Sequence, residues 1–330
     1  MVNDRIDHAQ GCLIGLAVGD ALGSPTEGKT PGEINERWGR ITDFLSEDQG
    51  GSDDTEYALF NAKLFLQHGW ALTTEIIAQA WLQEIYSESG YYKGAGFSEV
   101  LALKNLRAGL QPPYSGQHLH SWSDGLAMRV APFGIVAPGA PHLAAQLAET
   151  DGAVSHAGEG IWSGRAVAAA IATAMNAVDI EEIISSALNF IPEDSWTARA
   201  IREAVTIGQG SHDVWGALEP LYDRIACPYY FWSDVAPEAV GLAFGVLAAS
   251  KGKFEEAVLG GVNLGRDTDT IAAIAGTIAG ARLGLQAVPE NWINRVRKVK
   301  GVCIKAVKGT DILEVAAELA RRNVKSGGGS

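Results

Sequence analysis

Residues 265–281 read GRDTDTIAAIAGTIAGA. Asp267, Thr268, Asp269 and Thr270 stand at the mouth of an apolar stretch that runs to residue 285 with only one charge, Arg282. A helix that is apolar all round is a buried one, so a core helix is expected over 268–285. Gly276, Gly280 and Gly284 fall every four residues within it, as Gly11, Gly15, Gly19 and Gly23 do in GCLIGLAVGDALG near the N-terminus. Residues four apart share a helical face, so each segment carries a groove bare of side chains. Glycine costs up to about 1 kcal/mol per helical position relative to alanine. Close backbone approach, helix on helix or helix on ligand, is the compensating gain, and tight packing at the centre of the domain is expected.

Helical periodicity dominates the rest. It predicts helices over 7–22, 54–68, 74–88, 160–178, 180–190, 195–208, 237–250, 254–264, 290–299 and 312–323, several opened by Ser, Asp or Pro. ITDFL at 41–45 is the single weak strand candidate, and 89–125 reads as a long irregular region rich in Gly, Ser and aromatics. The expected fold is all-α: one compact, orthogonal multi-helix domain over 1–324, with KSGGGS at 325–330 a flexible tail.

Composition narrows the function. The 330 residues are 47% hydrophobic and 20% charged, enough to bury a large core. The formal net charge of −13 opposes nucleic-acid binding. Anionic substrates suit such a chain only where a bound cation reverses the local field. Cys12, Cys227 and Cys303 are odd in number and far apart, which excludes a disulfide framework or a zinc site. No basic-then-apolar leader opens the chain, and no segment reads as a membrane span. A cytoplasmic protein is expected.

The chemistry gathers in two clusters. GGSDDTEYAL at 50–59 places Ser52, Asp53, Asp54 and Thr55 before a helix, and the 267–270 cluster repeats the arrangement. Helix capping is the competing reading, but one cap needs one oxygen, and adjacent carboxylates add repulsion. Two clusters of carboxylates and hydroxyls, without His or Cys, select a hard cation, Mg²⁺ or Mn²⁺. Four carboxylates suggest two ions. Glu27 alone reads as a loop carboxylate, and Asp20 as a buried structural acid held by backbone or Arg. His156 suits a cap or a core position as well as catalysis. The aromatics Tyr91, Tyr92, Trp122, Tyr229, Tyr230, Phe231 and Trp232 fill a core or stack on a base.

These motifs carry a resemblance. GCLIGLAVGDALGSPTEG, SDDTEYAL, GLAMRVAPFGI, SHAGEGIWSG and GRDTDTIAAIAGTIAGA, in this order over 11–285, resemble the ADP-ribosylglycohydrolases, the group of dinitrogenase reductase-activating glycohydrolase and the ADP-ribosylarginine hydrolases. The resemblance implies an all-α fold with a dinuclear Mg²⁺ centre in a central cleft. It implies that Ser52, Asp53 and Asp54 bind one ion and that Asp267, Asp269 and Thr270 bind the other, with Asp269 bridging. Glu27 falls where the family has a mobile glutamate beside the metals. Asp124, Gly125, Met128, Arg129 and His156 are implied to line the substrate cleft.

The implied activity is Mg²⁺-dependent hydrolysis of the glycosidic bond between ADP-ribose and a protein side chain or small molecule. Asp53, Asp54 and Glu27 are equal candidates for proton transfer. One departure stands out. Many members have Gly-Asn-Gly before the Met-Arg pair, whereas this chain has Ser123-Asp124-Gly125. A carboxylate there repels a diphosphate by about 1–4 kcal/mol at a few ångströms, with Arg129 as the expected offset. Hydrolysis of plain ribosides on the same dimetal site is therefore the alternative, and a non-catalytic ADP-ribose-binding relative is a third reading.

Overall fold

In a computed structural model the chain is described over residues 2–86 and 95–322. Tyr91, Tyr92 and the expected 325–330 tail lie outside the described residues. The fold is all-α. Among the described residues there is no strand, only isolated bridges such as Lys29 with Arg266.

Two glycine-striped helices, Val2–Gly23 and Thr268–Leu283, form the spine. A Cβ added at Gly15 would lie 2.2 Å from the carbonyl oxygen of Gly276, and one at Gly280 would lie 2.1 Å from that of Gly11. At Gly19 it would meet Ala272, and at Gly23 Thr268 and Asp269. The pairing runs antiparallel, so the end of the first helix meets the start of the other. There the Thr268 hydroxyl donates to Gly23 O at 2.9 Å, and Thr26 Oγ1 lies 3.0 Å from Thr268 Oγ1. Backbone contact along the spine is what delivers two distant acidic segments to one place.

Around the spine pack the helices Asp53–His68, Glu159–Ala174, Trp196–Gly210, Ala236–Ala249 and Phe254–Leu264. Ala236–Ala249 is buried along its whole length, as its Ala- and Val-rich sequence requires. Several helices match the periodicity closely. Others differ: 74–88 is an α-helix over Thr74–Ala80 and then a π-turn over Trp81–Ile85, and 160–178 ends at Ala174. The supposed irregular region contains a helix, Phe97–Arg107. The 41–45 stretch is a loop, not a strand. Asn263 takes the place of a neighbouring strand by accepting from Ile41 N–H and donating to Ile41 O, both at 2.9 Å.

Candidate active site

The spine, the Asp53–His68 helix and the 231–234 segment enclose a cleft of about 350 Å³. Glu27, Asp53, Asp54, Asp124, Asp267, Asp269 and Thr270 line it. Both sequence clusters therefore meet, together with Glu27 from just beyond the first helix.

Capping does not account for either cluster. Neither Ser52 nor Asp267, the residues preceding the two helices, makes a side-chain cap hydrogen bond. For the Asp53–His68 helix that work falls to Asp20. Wholly buried in the first helix, its carboxylate accepts from Ser52 N–H at 2.7 Å and Thr55 N–H at 3.1 Å. The hydroxyls of both residues donate to it as well. Asp20 is thus the structural acid expected, and it leaves Asp53 and Asp54 free to face the cleft. Further along, Glu56 accepts from the N–H groups of Val302, Cys303 and Ile304 at 2.6–2.7 Å, anchoring a distant segment behind the same helix.

The other cluster is aimed by an unusual turn. Gly265 and Arg266 both have positive φ, 85° and 66°. For arginine this conformation costs on the order of 1 kcal/mol or more. It is held by Arg266 donating to Glu238 Oε1 at 2.6 Å and to the Trp232 carbonyl at 3.0 Å. The turn directs Asp267 and Asp269 inward, where each offers a carboxylate oxygen that lies, with one of Glu27, in a group spanning no more than 4.8 Å. Asp269 Oδ1 is buried without a hydrogen-bond partner. An oxygen-only set at this spacing, with an unsatisfied carboxylate, fits a small hard cation.

The electrostatics agree. Glu27 is exposed at the rim of the cleft, yet its carboxyl end is partly desolvated there, and this, followed by the charges of Asp267 and Asp20, pushes it up to about 7. Burial and neighbouring acids hold Asp53, Asp54, Asp124 and Asp269 well above the usual carboxylate range. Without a cation the folded chain keeps protons that the unfolded chain releases near pH 4. Stability of the metal-free protein therefore falls as pH rises through 4 to about 8. Magnesium, by displacing those protons, is expected to raise Tm more at pH 8 than at pH 5.5. Thermal denaturation in EDTA and in magnesium across that range measures both trends. A metal-free Tm that climbs with pH would contradict the assignment.

Other sequence-expected residues are placed differently. Ser52 does not line the cleft; its proton goes to Asp20 Oδ1 at 2.7 Å, leaving only lone pairs for a ligand role. Thr270 does line it, donating to Asp54 Oδ2 at 3.1 Å. Gly125 and Met128 also face the cleft. Arg129 and His156 do not, correcting their expected substrate contact. The Arg129 guanidinium is fully buried between Tyr57 and Trp81 and bonded to Glu99, Asp151, Ser155 and the Gly125 carbonyl. Four of its five N–H groups are engaged and the side chain is closed off from the cleft, so it makes no contact with a diphosphate that would offset Asp124. His156 is bonded to Ser123 and Ser155, and burial followed by the Arg129 charge depresses its pKa, leaving the ring neutral.

Two cleft acids were missed. Glu99 sits in the unexpected Phe97–Arg107 helix. Asp234, pushed up to about 8 by burial and then by Asp267, precedes the Ala236–Ala249 helix, where an aspartate reads as a cap. It is not the cap, and only its position in space reveals it.

The helical fold and the acid-lined cleft define a class. The ADP-ribosylglycohydrolase family model matches residues 1–328, and the chain belongs to that family. It is accordingly a glycoside hydrolase. An uncharacterized protein of Archaeoglobus fulgidus is 35% identical over 87% of this chain and 90% of its own. The ADP-ribosylarginine hydrolase Tri1 of Pseudomonas putida is 26% identical, covering 88% of this chain and 74% of its own. The ADP-ribosyl-[dinitrogen reductase] glycohydrolase of Rhodospirillum rubrum is 25% identical over 88% and 90%. A solved ADP-ribosylglycohydrolase-related protein complex shares the fold, with a TM-score of 0.70 and 24% identity over 98% of this chain and 100% of that one. Among the described residues no helix is long and apolar enough to cross a membrane.

Proposed function

We propose that the cleft performs Mg²⁺-dependent hydrolysis of the bond between ADP-ribose and a modified protein side chain or small molecule. The observation that carries this reading is the convergence of Glu27, Asp267 and Asp269 on one point, beside Asp53 and Asp54. Glu27, Asp267 and Asp269 would hold one ion; Asp53, Asp54 and Thr270, with the lone pairs of Ser52, would hold the second. Divalent ions held there would supply Lewis-acid polarisation of substrate oxygens. The surrounding carboxylates stabilise the positive charge that grows on the sugar as the glycosidic bond stretches. One of Glu27, Asp53 and Asp54 takes a proton from the water that adds to the anomeric carbon. The bonding pair leaves with the aglycone nitrogen or oxygen, which ends protonated.

Hydrolysis of plain ribosides is the second reading, favoured by Asp124. Its carboxylate is 3% exposed and lies among Asp267, Asp234 and Asp54, a poor neighbour for a diphosphate. One assay separates the two. The protein is incubated with ADP-ribosylated arginine and serine peptides and with simple ribosides, in magnesium or in EDTA. Magnesium-dependent release of ADP-ribose is the expected result. Turnover of ribosides alone would favour the second reading, and equal rates in EDTA would remove the metal from the scheme.

A further inference from the structure

Residue 266 occupies a conformation that suits glycine. Its φ is 66°, beside Gly265 at 85°, in the left-handed region that is strained for any residue with a side chain. The backbone there has a task of its own. Arg266 N–H donates to the Lys29 carbonyl and Gly28 N–H to the Arg266 carbonyl, both at 2.8 Å. This pair of bonds seats the segment carrying Glu27 against the turn carrying Asp267, and glycine would make both with less strain. The presence of arginine is therefore explained by its side chain.

That side chain is 7% exposed and reaches the 227–232 stretch. Its Nε donates to Glu238 Oε1 at 2.6 Å, and a terminal nitrogen reaches Oε2 at 3.3 Å. The remaining bonds go to main-chain carbonyls, that of Trp232 at 3.0 Å and that of Tyr230 at 3.3 Å. Glu238 is buried, and its Oε2 accepts from Cys227 N–H at 2.7 Å. Guanidinium and carboxylate together thus hold residues 227, 230 and 232, in the stretch that joins the helices Val214–Ile225 and Ala236–Ala249. Burial does little for this stretch, since Tyr229 and Phe231 are 90% and 89% exposed. Its inner side is nevertheless a wall of the cleft, made by Phe231, Trp232, Ser233 and Asp234. A connecting segment with so little buried surface keeps one position only where its backbone is pinned. A planar fork with several donors can pin two carbonyls and a carboxylate at once, which a point-like ammonium cannot. Neither Arg266 nor Glu238 lines the cleft, so both act through the residues they hold.

We infer that Arg266 is a positioning residue with two separable tasks: its backbone sets Glu27 against Asp267 for the cation, and its side chain, with Glu238, sets the 231–234 wall for the substrate. This rests on the hydrolase reading above and adds the residue that fixes the gap between the cation cluster and the substrate wall.

The test uses Arg266→Gly, which keeps the backbone bonds and relieves the turn. The double variant Arg266→Gly/Glu238→Gln is added because it leaves no unpaired buried carboxylate. Calorimetry measures ADP-ribose binding in saturating magnesium and magnesium binding alone, and kinetics are followed with the ADP-ribosylated arginine and serine peptides. In both variants the Kd for ADP-ribose and the KM are expected to rise about tenfold or more, on a scale where an ångström of misplacement costs about a hundredfold. Both kcat and magnesium affinity should stay at the wild-type level. Millimolar guanidinium chloride should restore ADP-ribose binding to Arg266→Gly, where Glu238 still offers its carboxylate, and not to the double variant; sodium chloride should restore neither. An ADP-ribose Kd unchanged in both variants overturns the inference, as does a fall in magnesium affinity that accounts for the whole loss. A wild type that binds ADP-ribose and cleaves neither peptide removes the hydrolase reading, while the Kd comparison still decides the role of Arg266. A wild type that does not bind ADP-ribose brings down both.

Discussion

Replacing Asp269 with Ala is expected to lower ADP-ribosyl hydrolysis by about a thousandfold, the scale of losing a preorganised charge at the reacting centre. The same change should abolish most of the magnesium-induced rise in Tm. The reason is local. Asp269 follows the left-handed Gly265–Arg266 turn, offers one of the three converging oxygens, and carries a buried Oδ1 with no protein partner. It does not cap its helix, so its removal should cost little structure. Without magnesium the variant is expected to be at least as stable as the parent, because one crowded acid has gone. Kinetics with a magnesium titration, together with denaturation in EDTA, checks both halves. Activity that survives Asp269→Ala would remove the metal centre from the mechanism, whatever the fold.

The second large effect lies far from the cleft. Gly280→Ala is expected to destabilise the protein by about 3 kcal/mol or more, since its methyl group would stand 2.1 Å from the Gly11 carbonyl oxygen, which belongs to backbone and cannot rotate away. A fall in Tm of roughly 4 °C or more follows. The matched control is Gly32→Ala in the helix Pro31–Trp38, where the nearest atom would be Thr30 Oγ1 at 3.9 Å. There the better helix propensity of alanine should hold stability level or raise it slightly. Because the spine also sets the distance between Glu27 and Asp269, Gly280→Ala should weaken magnesium binding as well. Equal Tm values for Gly280→Ala and Gly32→Ala would show that the spine does not depend on backbone contact.

Much of this was legible in the sequence for a physical reason. Glycines every four residues in an apolar helix have few uses besides close approach, and the two stripes do meet. Carboxylates stacked at a helix entry exceed what a cap needs, and Asp20 supplies one cap from another helix. What stayed hidden depends on segments that meet only in three dimensions. Asp234 looks like a cap beside Pro237. Glu99 belongs to a short helix preceded by a run of Gly and Tyr that carries no start signal. Arg129, in a motif that resembles a substrate-facing one, is instead held within the protein by two buried acids. A charge in a motif does not reveal which way it points.

The bond from the Thr268 hydroxyl to the Gly23 carbonyl joins residues 245 positions apart. An emerging nascent chain thus carries Glu27 and Asp53 long before Asp267 and Asp269 leave the ribosome. The first half of the polypeptide alone would display acids with nothing to share, and a fragment split anywhere between them should be inert until its complement arrives. Affinity for magnesium would serve as a late checkpoint of assembly, appearing only once both ends of the spine have closed.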